Sequence, residues 1–256
     1  WAKLSSDESL LLQLDAPGTA QRAYLKQVQV LDLLKLAPAT PEPQALVDSL
    51  RPLQPRLYDL ANSLNAIDDE LHLNVKDYRY AFGQRTEGGI ASRYLLSLEP
   101  GDTVSLYPHR NARFNLTESH DAPLLLIGER TGIAPYRAFM KELEHRGQQG
   151  AVWLVFAEQQ FEQDFLYQSE IQQAHDQRIL EKVDTVFYRD RPDATLASVL
   201  LAQIGPLQAW LAKGAHLYFC GDKHQLTDCE KALSQAVAAD TWKGLVDTKR
   251  IHRNLY

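Results

Sequence analysis

The densest chemistry in the chain lies in Leu124-Leu125-Leu126-Ile127-Gly128-Glu129-Arg130-Thr131-Gly132-Ile133-Ala134-Pro135-Tyr136-Arg137. A short apolar strand here turns through glycines into a helix, and a helix start reached in this way offers backbone N–H groups to a phosphate. Thr131 and Gly132 stand where such donors would meet a diphosphate, and Pro135 suits a first helical turn, where its missing N–H costs nothing. The same strand, turn and helix also occur as simple packing, so the run by itself leaves both readings open. Glu129 and Arg130 are out of character, because a loop that lets a diphosphate touch its backbone favours small residues.

Three further clusters carry polar chemistry beside apolar runs. Arg56-Leu57-Tyr58 combines a guanidinium able to grip a phosphate bidentately with an aromatic face for a flat ring; the plainer reading is an exposed arginine beside a strand tyrosine. Gly88-Gly89-Ile90-Ala91-Ser92-Arg93-Tyr94-Leu95 is a second glycine turn entering a short helix, either an anion site with Ser92 as an extra donor or an ordinary helix start. His216-Leu217-Tyr218-Phe219-Cys220-Gly221-Asp222 ends an apolar strand with a thiol and a carboxylate at the edge where ligands of parallel sheets lie. A small buried cysteine and an aspartate capping the next helix explain that cluster more simply. The eight histidines show no metal-ligand spacing, and neither H-E-x-x-H nor G-x-S-x-G occurs, so metal and serine-hydrolase chemistry find no support.

The elements that must position these residues follow from periodicity. After Pro123, apolar strands alternate with helices: Leu124–Gly128 and a helix from Pro135, Val152–Ala157 and a helix near Gln163–His175, Val183–Phe187, then Leu217–Cys220 and a helix to about Ala238. That alternation predicts a parallel sheet with helices on both faces and a ligand at the carboxyl ends of its strands. From Arg56 to about His120 the alternation in Leu71-His72-Leu73-Asn74-Val75 and Val104-Ser105-Leu106-Tyr107 predicts short antiparallel strands. Residues 8–50 show helical spacing of leucines and valines broken by Pro38, Pro41 and Pro43, a small helical layer.

At 256 residues the chain has room for two domains, and 45% hydrophobic and 23% charged residues are ordinary for a globular protein. A net charge of -6 argues against a nucleic-acid partner. Cys220 and Cys229 form no C-x-x-C pair, which points to a reducing, cytoplasmic compartment without disulfides. No run approaches the roughly 20 apolar residues of a membrane span, and the start has no signal-peptide pattern. The opening Trp1 and the single internal methionine read as a fragment or an engineered segment.

Taken in order, Arg56-Leu57-Tyr58, Gly89-Ile90-Ala91-Ser92, Gly128-x-x-Thr131-Gly132-Ile133-Ala134-Pro135-Tyr136-Arg137, Tyr218-Phe219-Cys220-Gly221-Asp222 and Arg253-Asn254-Leu255-Tyr256 resemble the ferredoxin-NADP reductase-like module of diflavin reductases. Leu53-Gln54-Pro55-Arg56-Leu57-Tyr58 and Asp164-Phe165-Leu166-Tyr167-Gln168 place the resemblance nearest the sulfite reductase-type branch. It implies residues 1–50 as a helical connecting segment, 51–120 as part of an antiparallel FAD-binding barrel, and 121–256 as a Rossmann-like NADP-binding domain. The early barrel strands and an FMN-binding flavodoxin-like domain find no counterpart in the sequence. The implied activity is electron transfer from NADPH through FAD toward FMN on such a partner domain, and then to a hemoprotein.

Position by position, the resemblance implies that Arg56 holds the FAD diphosphate, Tyr58 stacks on its ring, and Gly89, Ile90, Ala91 and Ser92 donate to the diphosphate. Cys220 stands near the reacting nicotinamide carbon, and Tyr256 covers the opposite flavin face. Gly128, Thr131, Gly132 and Asp222 belong to the NADP side, with Arg189 and Arg191 for the 2′-phosphate. The chain departs from the pattern on the chemistry itself. Asp59 stands where the family has Ser or Thr, and Asn254 where it has an acid, as if a carboxylate had changed places. Arg130 replaces a glycine of the Gly-Pro-Gly-Thr-Gly turn. Where the family uses a Ser-Arg pair followed by Lys, Tyr and Gln, this chain has Tyr188, Arg189, Ala194, Leu196 and Ser198. These departures imply slowed electron transfer or weak NADPH binding, or a diverged flavin-binding or docking scaffold.

Overall fold

A computed structural model describes residues 12, 15, 17–25, 30–36, 42–82, 85–119 and 122–256, so part of the leucine-rich stretch over 8–50 lies outside the described residues. The chain divides into two compact units, Trp1–Arg56 with Lys76–Thr103, and Leu57–Val75 with Val104–Tyr256.

The first unit contains short helices over Gly18–Leu25, Val30–Leu36 and Pro43–Ser49, matching the proline-broken helical layer. Pro43 occupies the first turn of the last of these, and Glu42 accepts the Ala45 N–H at 2.8 Å as its cap. Strands β1 (Arg79–Phe82) and β2 (Arg85–Gly88) pair antiparallel, Arg79 opposite Gly88. The helix Ile90–Leu96 follows, and Gly89 precedes it with its N–H donating to the Tyr78 carbonyl at 2.8 Å.

The second unit is built on a parallel sheet of β3 (Leu124–Glu129), β4 (Val152–Glu158), β5 (Lys182–Phe187), β6 (His216–Gly221) and β7 (Ile251–Leu255), in the order β5-β4-β3-β6-β7. Side chains alternate across a strand, so each strand feeds two cores. Leu125, Ile127, Trp153, Val155, Leu217 and Phe219 pack with Leu196, Leu200, Leu211, Leu226 and Leu245. Leu124, Leu126, Leu154, Phe156, Tyr218 and Cys220 pack with Ile133, Tyr136, Met140, Leu143 and Ile171. Helices thus cover both faces, as the continuous apolar runs predict. The edge strand β7 is absent from the periodicity reading, because Ile251-His252-Arg253-Asn254-Leu255 is half polar and only partly buried.

Antiparallel structure over 51–120 is present in part: the β1–β2 hairpin in the first unit, and the isolated bridge Leu60–Leu73 in the second. The alternation in Val104–Tyr107 forms no strand, since alternation becomes a strand only where a neighbour completes the hydrogen-bond ladder. Within the second unit, residues 57–75 are clasped to the helix Ile133–His145 by polar groups. Arg137 Nη1 donates to the Ala61 carbonyl at 2.6 Å and meets His72 Nδ1 at 3.0 Å, while its Nε donates to Glu170 Oε2 at 2.9 Å. Glu142 accepts from Ser63 Oγ and from Asn65 Nδ2 and pairs with Arg146. Among the described residues no helix is long and apolar enough to cross a membrane.

Candidate functional site

Connections from β3 and from β6 leave in opposite directions, toward β4 and toward β7, so the strand order reverses between these two neighbours. Ligands of open parallel sheets lie in the crevice that such a reversal opens at the carboxyl ends. The lip of this crevice is the 3-10 turn Arg130–Gly132 facing Gly221 and Asp222.

The glycines of the turn are held by close approach of backbone to strand. A Cβ on Gly132 would overlap the Cys220 carbonyl, one on Gly128 would lie 2.6 Å from the Tyr136 ring, and one on Gly221 would lie 2.9 Å from Glu129 Cγ. Tyr136 locks this arrangement from below, its single hydroxyl hydrogen shared between the Ile127 carbonyl at 2.7 Å and the Tyr218 carbonyl at 2.9 Å. Gly128 and Gly132 therefore serve packing of the turn onto β6, whatever else they do. Arg130 adopts φ +53°, left-handed backbone that disfavours a side chain, and its Nε is buried without a hydrogen-bond partner.

Glu129, absent from the residues singled out as ligands, ends β3 directly beneath this lip, packed against Gly221. Its side chain is fully buried, accepting the Asp222 N–H at 3.2 Å through Oε1 and the Tyr188 hydroxyl at 3.1 Å through Oε2. Burial pushes its carboxyl above the usual range, against the opposing effects of Tyr188 and Arg130. Tyr188, just beyond β5, is raised in turn by burial and by Glu129. No spacing signals this pairing; the visible clue is an acid in a turn that favours small residues.

Asp222 caps the helix Lys223–Ala236, accepting from His224 N at 2.9 Å and Gln225 N at 3.1 Å, as the simpler reading of its position expects. Thr131 shares a hydrogen bond of 2.8 Å with the Tyr256 hydroxyl, and the Tyr256 backbone is pinned by the Gly221 carbonyl and the Lys223 N–H. Beside them, Asn254 Nδ2 donates to Asp59 Oδ2 at 2.7 Å and to Cys220 Sγ at 3.6 Å. Burial raises the Asp59 carboxyl, opposed by Asn254, and burial with Asp59 nearby raises the Cys220 thiol.

Arg189 and Arg191 are exposed, Arg189 Nη1 reaching Gln160 Oε1 at 3.4 Å, while Ala194 and Leu196 are buried in the core. Ser198 is occupied in a capping box with Thr195. In the first unit, Ser92 Oγ donates to the Gly89 carbonyl at 3.1 Å, Ile90 and Ala91 open the short helix, and exposed Arg56 Nη1 donates to the Gln54 carbonyl at 3.0 Å. Tyr58 belongs to the second unit and is half-buried. Among the described residues no three His, Cys, Asp or Glu side chains are placed to hold a metal ion.

For a dinucleotide the fit is divided: Thr131 and Asn254 lie beside the turn with their polar groups already paired to Tyr256 and Asp59, and Glu129 places a buried carboxylate at the carboxyl end of β3. Residues 126–231 match the model of the oxidoreductase NAD-binding domain. Along its full length the chain is 37% identical to the sulfite reductase [NADPH] flavoprotein alpha-component of Shewanella oneidensis, of which it covers 45%. With 93% of its length it is 37% identical to the protein of that name from Yersinia enterocolitica and 35% identical to that from Salmonella typhimurium, covering 40% of each. The chain thus spans less than half the length of these relatives. The comparisons thus make the chain similar to the oxidoreductase NAD-binding domain over residues 126–231, and to the sulfite reductase [NADPH] flavoprotein alpha-components over most or all of its own length.

Proposed function

We propose that this chain is the FAD- and NADPH-handling portion of a flavoprotein reductase, passing electrons to an FMN-binding flavodoxin-like partner and onward to a hemoprotein of the sulfite reductase type. The supporting observation is the meeting of Asp59, Cys220 and Asn254 at the carboxyl edge of β6 and β7, from positions as far as 195 residues apart in sequence. In this reading 1–50 is the connecting segment, 51–120 the FAD portion and 121–256 the NADP portion, with two free buried cysteines in keeping with a cytoplasmic setting.

NADPH supplies an electron pair when bound, and FAD divides it into single electrons. The chain's own residues orient and screen. Thr131 and the helix that follows it face the dinucleotide, Cys220 and Asn254 line the reacting end, and Asp59 holds a proton or a charge beside it. Tyr256 would cover the flavin face opposite Tyr58, and its hydrogen bond to Thr131 would have to open for a nicotinamide to stack there. In the first unit Arg56 and Gly89 to Ser92 would bind the FAD diphosphate; in the second, Tyr58 offers a ring for the flavin, and Arg189 and Arg191 would meet the 2′-phosphate.

A docking scaffold that keeps the fold but oxidises NADPH poorly is the second reading, favoured by Glu129 in the crevice. Purified protein reconstituted with FAD separates the two. A flavin spectrum that bleaches anaerobically on adding NADPH establishes the reductase, and a yellow protein that stays yellow establishes the scaffold.

A further inference from the structure

We propose that Glu129 is a resident anion of the dinucleotide crevice, a side-chain carboxylate standing where a pyrophosphate would be received, and that it weakens the chain's hold on dinucleotides. The inference rests on the assignment of this crevice to NADPH.

Three observations carry it. Glu129 ends β3 at the point where the strand order reverses, the place such sheets reserve for ligand phosphates. It is wholly buried, and it already takes the Asp222 N–H that opens the helix Lys223–Ala236, together with the hydroxyl of Tyr188 from across the end of β4. Those are donors of the kind an entering anion needs. The groups facing Glu129 do not neutralise it well. Arg130 is the adjacent cation, yet its Nε is buried without a partner; Asp222, Tyr188, Cys229 and Tyr256, on the surrounding elements, are acidic or neutral.

A second anion placed beside an ionised Glu129 in a dry crevice meets repulsion that solvent does not screen. The dinucleotide therefore enters only when Glu129 takes up a proton or swings away, and either step subtracts from affinity.

Calorimetric titration of the full chain with NAD+ and with NADP+ at pH 8 tests this. Glu129→Gln, which keeps shape and removes charge, is expected to tighten both Kd values by at least about tenfold, whereas Glu129→Asp stays within threefold of the parent. Glu129→Ala serves the same purpose if the glutamine variant does not fold. A Kd for the neutral variants no tighter than that of the parent, including no binding by any of them, overturns the proposal. The outcome is separable from the fate of the reductase reading. A parent that bleaches with NADPH while Glu129→Gln binds no tighter loses only this inference, and a parent that never bleaches while Glu129→Gln gains affinity loses only the reductase.

Discussion

Asn254 Nδ2 sits 2.7 Å from Asp59 Oδ2, so the two positions at which the chain exchanges acid for neutral side chain form a single contact. If the departures the resemblance implies at 59 and 254 are a true exchange, the carboxylate stays within one hydrogen bond of where it started. What changes is which side of the bond carries the charge, and with it the charge next to the Cys220 thiol.

If an ionised Asp59 opposes negative charge building on the flavin, Asp59→Ser should speed flavin reduction by NADPH by about tenfold, the factor that 1.4 kcal/mol gives. Stopped-flow absorbance measures the rate directly. An unchanged rate removes Asp59 from the chemistry.

Glu142 gives a pH signature to stability. Burial opposes its charge, but hydrogen bonds from Ser63, Arg146 and Asn65 prevail and hold its carboxyl below the usual range. A carboxyl lowered on folding contributes stability above its unfolded pKa, about 4.3, and loses it as pH falls through the folded value. Glu142→Gln should cost about 2 kcal/mol at pH 7 and progressively less below about pH 4. Urea unfolding at the two pH values checks this, and an equal deficit at both contradicts it.

Arg130 at φ +53° pays a left-handed backbone penalty of about 1–2 kcal/mol, part of which glycine recovers despite its greater freedom when unfolded. Arg130→Gly should therefore raise the melting temperature by about 2–4 °C. A lower melting temperature would mean that the guanidinium contributes more than its unpartnered Nε suggests.

Gly132→Ala should do the opposite, and more strongly. The added methyl overlaps the Cys220 carbonyl, a backbone atom of a buried strand with nowhere to move. Overpacking of this kind costs about 1–3 kcal/mol or more, visible as a loss of several degrees in a circular-dichroism melt. A melt superimposable on the parent's would show that the turn can lift from β6.

The parallel sheet was readable because β3, β4 and β6 are buried on both faces and therefore spelled in unbroken apolar runs. β7 was not, because an edge strand needs only a partial apolar pattern, and neither was the absence of a strand at Val104–Tyr107, where alternation had no partner to turn it into a ladder. Among site residues, Cys220, Asp59 and Asn254 were singled out through resemblance, and their mutual contact is visible only in the fold. The Glu129–Tyr188 bond was illegible, since it depends on how far the end of β5 lies from the end of β3, a distance set by sheet geometry and not by spacing in the chain. Ala194 and Leu196 looked like lost ligands by alignment of position, while their burial shows them to be core.

The direct seating of Gly132 on the Cys220 carbonyl leaves no side chain between turn and strand to act as a cushion. Turn and strand end consequently form one rigid part, so a displacement of the turn is passed directly to the backbone that carries Cys220. Loosening either by mutation would blur the alignment of both.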